Sequence, residues 1–307
     1  MLAGSPLPPC CDGALGAHPT MHLQQVTLLG VLLSILLTVF GFGLQAGWGD
    51  VSYVVRRPAY AFRSLLAMMV VMPVVALAFE RAFGLSRAVG IALVALAISP
   101  VPPLLPRRED KAGGHAPYAI GLMATAALLS VAFVPLAVAL LGKFFDRPFH
   151  VGVGAVAMKV ATTTALPLLA GMALRALAPG VATKLAKPAA RVATVLLVIC
   201  GLAILGASLP AVWALIGNGT LGALTGFVGL GLLAGHLLGG SEPRDRIVLA
   251  LSTACRHPAI ALTIVATNFP EEHLGPVIVL YLVVNTLVGA VYVAWQRRHV
   301  ARAVAVA

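Results

Sequence analysis

The residues from Ser252 to Ala259 read STACRHPA, and they lie in the middle of an otherwise apolar stretch, Ile247 to Ala266. A stretch of this length is enough to cross a bilayer as a helix. Pro258 removes a backbone donor near its midpoint and breaks the helical ladder, while Arg256 brings a permanent charge to the membrane centre. Lipid tolerates neither unless protein or water surrounds it, so the stretch predicts a functional site inside a membrane protein.

The composition of the chain also predicts a membrane protein. Of its 307 residues 60% are hydrophobic and 10% are charged, and the mean hydropathy is +0.99. Soluble domains are about 45–50% apolar and about 25% charged. The net charge of +11 comes from basic residues scattered between apolar segments, which indicates membrane orientation and not nucleic-acid binding. The four cysteines have no metal-ligand spacing, so no metal or other cofactor is expected.

Nine apolar segments, which we letter A to I, are separated by short polar connections. They are Val26–Gly47, Tyr60–Phe79, Arg87–Pro106, Pro117–Leu141, Val153–Leu177, Val192–Ile216, Gly219–Gly240, Ile247–Ala266 and Gly275–Trp295. The expected fold is an all-α membrane protein of about nine transmembrane helices, with one transmembrane domain over residues 26–295. Residues 1–25 are expected to form a disordered tail, and residues 296–307 a short cytoplasmic tail.

The basic residues outside the spans predict the orientation of the chain. With the N-terminus outside, the cytoplasmic loops and the C-terminal tail carry fifteen Lys and Arg residues, whereas the opposite side carries four. Loops near spans that are rich in Lys and Arg remain in the cytoplasm. We therefore expect a multi-pass protein of a bacterial-type plasma membrane with an outside N-terminus and a cytoplasmic C-terminus.

Segments C and H cannot be regular helices. C ends in Ser99-Pro100-Val101-Pro102-Pro103-Leu104-Leu105-Pro106, in which four prolines force the chain to unwind, and H breaks at Pro258. Arg87 opens C thirteen residues before Pro100, and Arg246 precedes H twelve residues before Pro258. Because C and H run in opposite directions in the expected orientation, they predict an inverted repeat with two discontinuous, crossing helices. Transporters place a midplane binding site in such an arrangement.

Several strings along the chain, taken in order, resemble the bile acid:sodium symporter family. Phe40-Gly41-Phe42-Gly43-Leu44 resembles the family's FGMGL, and Arg56-Arg57-Pro58 followed by Met72-Pro73 resembles its RRP and MP. Ser99-Pro100 falls where the family has CPGG. The run Leu166-Pro167-Leu168-Leu169-Ala170-Gly171 resembles LPLLLG, and Thr253–Ala261 occupies the place of the second broken helix. The resemblance extends from segment A to segment I.

The resemblance implies a ten-helix fold of two inverted five-helix repeats, of which segments A to I would supply nine. Segments B–D and G–I would form its core domain, and A, E and F its panel domain. The implied activity is secondary transport of a small organic anion by alternating access around the breaks near residues 99–106 and 252–259. A membrane sensor or receptor derived from a transporter, and a carrier of the auxin-efflux type, are the alternatives. No enzyme is expected, because motifs such as HExxH and GxSxG are absent.

Most of the family's sodium ligands are replaced here by other residue types. By position, the family's glutamate falls on Ser252 or Thr253, its Gln-Asn pair on Arg256-His257 and a further glutamine on Met68, while Thr125 is kept. Sodium binding is possible by the resemblance alone, but sodium coupling cannot be carried over to this chain.

The distribution of charge predicts a positive membrane interior. All ten acidic residues lie in tails, in loops or at helix ends, so no carboxylate is expected to be buried in the membrane, where Arg256 and Lys159 supply positive charge. Two roles are open for Arg256, and both can hold in different states. Its guanidinium can donate to carbonyls freed at the two breaks, or it can pair with an anionic substrate in a cavity. His257 can bond freed backbone as a neutral ring or carry a proton.

The candidate residues for substrate binding or helix crossing lie at the two breaks and in the long spans that follow them. They are Ser99, Pro100, Thr125, Ser130, Ser252, Thr253, Arg256, His257, Pro258 and Asn285. Hydrogen bonds between crossing helices explain Thr125, Ser130 and Asn285 as well as substrate contact does. The expected partners are therefore a small organic anion and the lipid bilayer.

Overall fold

A computed structural model describes residues 18–102, 105–144, 153–216, 219–269 and 274–306, and the regular elements within these ranges are all helical. The first half contains α1 (His18–Gly43), α2 (Trp48–Val55), α3 (Pro58–Leu65), α4 (Met72–Ala82), α5 (Arg87–Ile98), α6 (Leu105–Lys111) and α7 (Ala116–Phe144). The second half contains α8 (Val153–Val160), α9 (Leu166–Leu177), α10 (Pro179–Leu215), α11 (Thr220–Leu238), α12 (Pro243–Ala254), α13 (Pro258–Asn268) and α14 (Gly275–Val306). Two π-helical segments, Leu66–Val71 and Ala161–Ala165, join α3 to α4 and α8 to α9.

Seven helical stretches of the described chain are long and apolar enough to cross a membrane. They are Gln25–Gly43, Pro58–Ala82, Ala116–Leu140, Ala157–Leu177, Pro179–Leu215, Thr220–Leu238 and Gly275–His299. These stretches correspond to segments A, B, D, E, F, G and I, which confirms the prediction of an all-α membrane protein. Segments C and H are the interrupted ones, and the total of nine spans and the inverted repeat stay predictions.

The first and last helices extend beyond the expected bounds of the transmembrane domain, and those bounds stay a prediction. The first helix begins at His18, so residues 18–25 are helical where a disordered tail was expected, and residues 1–17 lie outside the described residues. The last helix continues to Val306, through the expected tail of residues 296–307. The predicted boundaries followed the apolar residues, whereas a helix extends further wherever its residues have adequate helix propensity.

The two breaks lie where proline predicts them. Helix α5 ends at Ile98, Ser99 is extended with ψ 145°, and α6 does not begin until Leu105. Helix α12 ends at Ala254, and His257 is extended with ψ 103° immediately before Pro258, the first residue of α13. Proline disfavours helical geometry in the residue before it and fits the first helical position, where no amide is needed. Each break is therefore short and begins a new helix.

Helices α1, α9 and α10, which belong to the segments assigned to the panel, pack against one another. The crossing of α1 and α9 brings together two of the strings that resemble the family. A Cβ added to Gly43 would lie 2.4 Å from the Leu168 carbonyl oxygen, and one added to Gly171 would lie 2.4 Å from the Phe40 carbonyl oxygen. No side chain fits between these backbones, so both glycines are required by the close approach.

The broken helices pack among the remaining helices. Helix α5 lies against α4 and α13, and α12 lies against α6, α7, α11 and α14. Most residues of α5 and all those from Ile247 to Ala254 in α12 are buried within the protein. The breaks are thus enclosed by protein, which is the condition under which non-helical backbone persists at membrane depth.

Candidate functional site

The two broken helices meet at their breaks. The backbone amide of His257 donates to the Pro100 carbonyl oxygen over 2.9 Å. One guanidinium nitrogen of Arg256, Nη1, donates to the Ser99 carbonyl oxygen over 3.3 Å. Donors at the second break therefore bond to carbonyl oxygens that the first break left without a helical partner. Residues 99–100 and 256–257 form a single site.

Arg256 is the centre of this site and is only 3% exposed. Its second guanidinium nitrogen, Nη2, donates to the Met68 carbonyl oxygen over 2.9 Å. Its backbone amide donates to the Tyr281 hydroxyl over 2.7 Å, and that hydroxyl donates to the Ala254 carbonyl oxygen over 3.0 Å. Tyr281, which was not among the candidates named from the sequence, thus supports the second break from α14.

The Met68 carbonyl is free because of a proline one turn later. The amide of Met72 bonds to the Ala67 carbonyl across the π segment, so it is not used by Met68. The next residue, Pro73, has no amide hydrogen to offer. The carbonyl of Met68 therefore has no donor within its own helix, and the buried guanidinium supplies one. This geometry matches the first of the two roles considered for Arg256, donation to freed carbonyls.

Buried polar atoms without a hydrogen-bond partner are concentrated around the breaks. Among the described side chains these atoms are Glu109 Oε2, Thr125 Oγ1, Thr164 Oγ1, Arg256 Nε and His257 Nδ1. Thr164 lies in the second π segment, Glu109 in α6 and Thr125 in α7, the two helices after the first break, and Arg256 and His257 lie at the second break. Because an unpaired buried polar atom is costly, its presence requires an explanation, and a bound ligand or water is a common one.

The remaining candidates divide into two groups. Ser252 Oγ donates to Glu109 Oε1 over 2.7 Å, and the Asn285 side chain lies 3.4 Å from Cys255 Sγ, so both residues bridge separate helices. The hydroxyls of Ser99, Thr253 and Ser130 bond instead to carbonyls of their own helices, with Ala95, Leu249 and Ala127 as the acceptors. Ser99 and Pro100 contribute to the crossing through their carbonyl oxygens, and Pro258 through the start of α13.

The expectation that no carboxylate is buried is wrong. Glu109 is 1% exposed and Asp245 is 2% exposed, although both belong to polar, highly charged stretches of sequence. Asp245 Oδ1 lies 3.2 Å from His115 Nδ1. Glu109 lies on α6, which begins after the first break and packs against α7 and α12. Burial raises the pKa of the Glu109 carboxyl to about 8, although the Ser252 hydroxyl lowers it in part.

A helical periodicity could have indicated the burial of Glu109. Leu105, Glu109 and Ala112 stand at positions i, i+4 and i+7, which share one face of a helix. All three are buried in the structure. The charged residues around Glu109 concealed this pattern and made the stretch resemble an ordinary loop.

A model of the Sodium Bile acid symporter family matches residues 32–212. The chain belongs to this family. The match includes the first break and both glycine-containing strings of the α1–α9 crossing, and it ends before the second break. Membership in this symporter family confirms the resemblance seen in the sequence and makes the chain a membrane transporter protein, not a member of an enzyme family. A search among curated proteins found no match.

In this member of the symporter family, the residues at the crossing do not fit sodium. Sodium needs oxygen acceptors, but the carbonyl oxygens of Met68 and Ser99 already accept from the guanidinium of Arg256. A second cation beside Arg256 would also be repelled by it. Nowhere in the described chain do three or more His, Cys, Asp or Glu residues form a group that could hold a metal ion.

Proposed function

We propose that this protein is a secondary transporter of small organic anions that works by alternating access around the two breaks. The observation that carries the proposal is the environment of Arg256. Its guanidinium is buried, its Nε has no partner, and no carboxylate of the described residues lies within 4.0 Å of it. Arginine stays protonated in proteins, so the site retains a positive charge that an anion could neutralise.

The geometry of the guanidinium suggests how an anion would bind. A carboxylate or sulfonate prefers two parallel donors of one guanidinium. The Nε donor is free, and the contact from Nη1 to the Ser99 carbonyl, at 3.3 Å, is longer than the contact from Nη2 to Met68 at 2.9 Å. An anion that takes Nε and Nη1 would therefore replace the weaker of the two carbonyl contacts. Arg256 would then donate to both carbonyls in the empty protein and pair with the anion in the loaded protein.

The packing of the helices supports movement between two groups. Helices α1, α9 and α10 pack on each other, and α10 also packs on α14, while the breaks are held among α4, α6, α7, α11, α12 and α14. Movement of the first group against the second would expose the crossing to each side of the membrane in turn. Because ligand atoms would contact the breaks themselves, loading of the site can change the relative stability of the two arrangements.

The proposal is tested by binding to purified protein and by flux in proteoliposomes. A panel of carboxylates and sulfonates, including bile acids because the family description names them, is compared with neutral ester or amide analogues. We expect the anions, and not their neutral analogues, to raise the thermal midpoint and to cross the membrane. Arg256→Lys keeps the charge but loses the planar fork, so it should weaken anion binding roughly tenfold or more.

Lys159→Ala is the matched control, because Lys159 is also a cation within a predicted span but is exposed in the structure. It should bind and transport as the unaltered chain does. Equal affinity of the Arg256→Lys variant and the unaltered chain would remove the anion-binding role of Arg256. Anion binding without flux would instead favour the sensor or receptor alternative.

A further inference from the structure

Glu109 lies at the contact between α6 and α12, one part of each broken helix; we call this contact, formed by Glu109 and Ser252, the joint. It lies on α6, just after the first break, and its Oε1 accepts a hydrogen bond of 2.7 Å from Ser252 on α12, just before the second break. The turn after α6 keeps the two helices close. Gly113 has a φ of +91°, and a Cβ added to Gly114 would lie 2.9 Å from both the Glu109 carbonyl oxygen and Val248 Cγ2.

The second carboxyl oxygen of Glu109 has no hydrogen-bond partner among the described residues. Oε2 is buried and no side chain or backbone donor of the described residues reaches it. An ionised carboxylate in this place would hold an unpaired negative charge away from water, which is far more costly than an unpaired neutral hydroxyl. Burial also favours the protonated form, as the raised pKa of Glu109, about 8, indicates.

The charged and titratable groups on the surrounding elements have other partners or lie apart from the carboxyl. Those whose side chains the structure describes are Arg108, Asp110 and Lys111 on α6; Arg244, Asp245, Arg246 and Cys255 on α12 and at its end; His115 and Tyr118 before and on α7; and Tyr281 and Arg297 on α14. Arg108 donates to the Thr286 carbonyl oxygen and Arg297 to that of Lys111. Asp245 pairs with His115, and the Tyr118 hydroxyl bonds to Ser64. Within the described side chains no cation lies within 4.0 Å of the Glu109 carboxyl.

We propose that the Glu109 carboxyl is a proton-binding site that joins α6 to α12. In the joined state the proton resides on Oε2, and Oε1 accepts the Ser252 hydroxyl. Release of one proton to water converts the neutral acid into a carboxylate with one negative charge, and no other covalent bond is broken; the Ser252 hydrogen bond is lost when the helices separate. The carboxylate requires hydration, so α6 separates from α12 and water enters the joint. Use of this proton in transport rests on the proposed function, whereas the titration itself does not.

The titration is measured by infrared spectroscopy on the purified full-length protein between about pH 6 and about pH 10. A carboxylic C=O band of the unaltered chain should be lost as the pH rises through about 8. The band should be missing in Glu109→Gln and unchanged in Asp110→Asn, an exposed acid on the same helix. A spectrum without a band assignable to Glu109, or a band that responds to Na+ at constant pH, would overturn the proposal.

Opening of the joint is measured by hydrogen exchange, comparing variants at the same pH. Above about pH 8, peptides from α6 and α12 should exchange several-fold faster in the unaltered chain than in Glu109→Gln, which remains neutral. Below that pH the two should exchange equally. Equal exchange at every pH would show that the carboxyl titrates without controlling the joint, and the joining role would be lost.

The use of the proton is tested with a taurine-conjugated bile acid as the probe, because its sulfonate stays ionised and cannot carry protons itself. An imposed proton gradient should concentrate the probe in proteoliposomes of the unaltered chain and of Asp110→Asn, but not of Glu109→Gln. Concentration of the probe by the Glu109→Gln variant would remove the coupling role. If none of the anions tested above crosses the membrane, the proposed function fails, and the infrared titration still decides the proton site.

Discussion

Arg256 donates from its guanidinium to the carbonyl oxygen of Met68 over 2.9 Å, a contact between residues 188 positions apart in the chain. The contact depends on two prolines. Pro73 leaves the Met68 carbonyl without a helical donor, and Pro258 begins a new helix immediately after the residue that follows Arg256. A fixed cation therefore holds a π-helical segment against the crossing, which joins three interruptions of regular helix at one point.

Replacement of Arg256 should destabilise the protein in a graded way. Arg256→Ala leaves the carbonyls of Met68 and Ser99 without a donor, at a cost of about 1–3 kcal/mol for each buried acceptor. Arg256→Lys keeps the charge but can direct its donors at one carbonyl at a time, so its thermal midpoint should lie between those of Arg256→Ala and the unaltered chain. Thermal unfolding in detergent measures the order. An Arg256→Ala protein as stable as the unaltered chain would show that the carbonyl contacts contribute nothing.

Glu109 should make the stability fall as the pH rises. Its pKa is raised from the ordinary 4.5 to about 8 in the folded protein, so the folded state keeps a proton that the unfolded state has already lost. Stability then decreases between about pH 4.5 and about pH 8, by at most ~1.4 kcal/mol per pH unit, and this contribution is constant above and below that window. Chemical denaturation across this range measures the slope.

The Glu109→Gln variant provides the comparison for this pH dependence. Glutamine keeps the shape but cannot ionise, so the variant should lose the slope and exceed the unaltered chain in stability at pH values above about 8. Asp110→Asn should keep the slope. A Glu109→Gln protein with the same pH profile as the unaltered chain would place the titrating group elsewhere.

The breaks and the apolar segments were predictable because their causes are local. Proline determines its own backbone geometry and that of the preceding residue, so Pro100 and Pro258 indicated the interruptions without any tertiary information. Donation from Arg256 to freed carbonyls was also predictable, because a guanidinium has only donors and the breaks leave carbonyl acceptors without partners. The particular acceptor in Met68 did not, because it depends on which distant helix packs against the second break.

The residues next to Glu109 in the sequence concealed its burial, which depends on how α6 packs against α12. The surrounding Arg108, Asp110 and Lys111 make the stretch polar, and a loop is the usual interpretation of such a sequence. Its burial becomes visible only from the face that it shares with Leu105 and Ala112. The inverted repeat remains a prediction, because contacts between helices do not show in which direction each helix crosses the membrane.

The predicted orientation can be checked with two matched cysteine variants. Ser86 and Ser241 are both exposed and lie in connections predicted to face outside and cytoplasm, respectively. In a background with Cys10→Ser and Cys11→Ser, the remaining Cys200 and Cys255 are buried. An impermeant maleimide added to intact cells should label Ser86→Cys at once and Ser241→Cys only after lysis. Labelling in the reverse order would invert the topology that the positive-inside rule predicts.

The α1–α9 crossing should tolerate no additional methyl group. In Gly171→Ala the new Cβ would lie 2.4 Å from the Phe40 carbonyl oxygen and 2.8 Å from the Gly43 Cα, and backbone atoms cannot rotate away as a side chain would. The two helices must separate, which should cost about 1–3 kcal/mol and lower the thermal midpoint in detergent. Gly201→Ala in α10 is the control, because no atom lies within 4 Å of its added Cβ and alanine favours a helix by about 1 kcal/mol over glycine. Equal midpoints for the two variants would mean that α1 and α9 do not approach each other this closely.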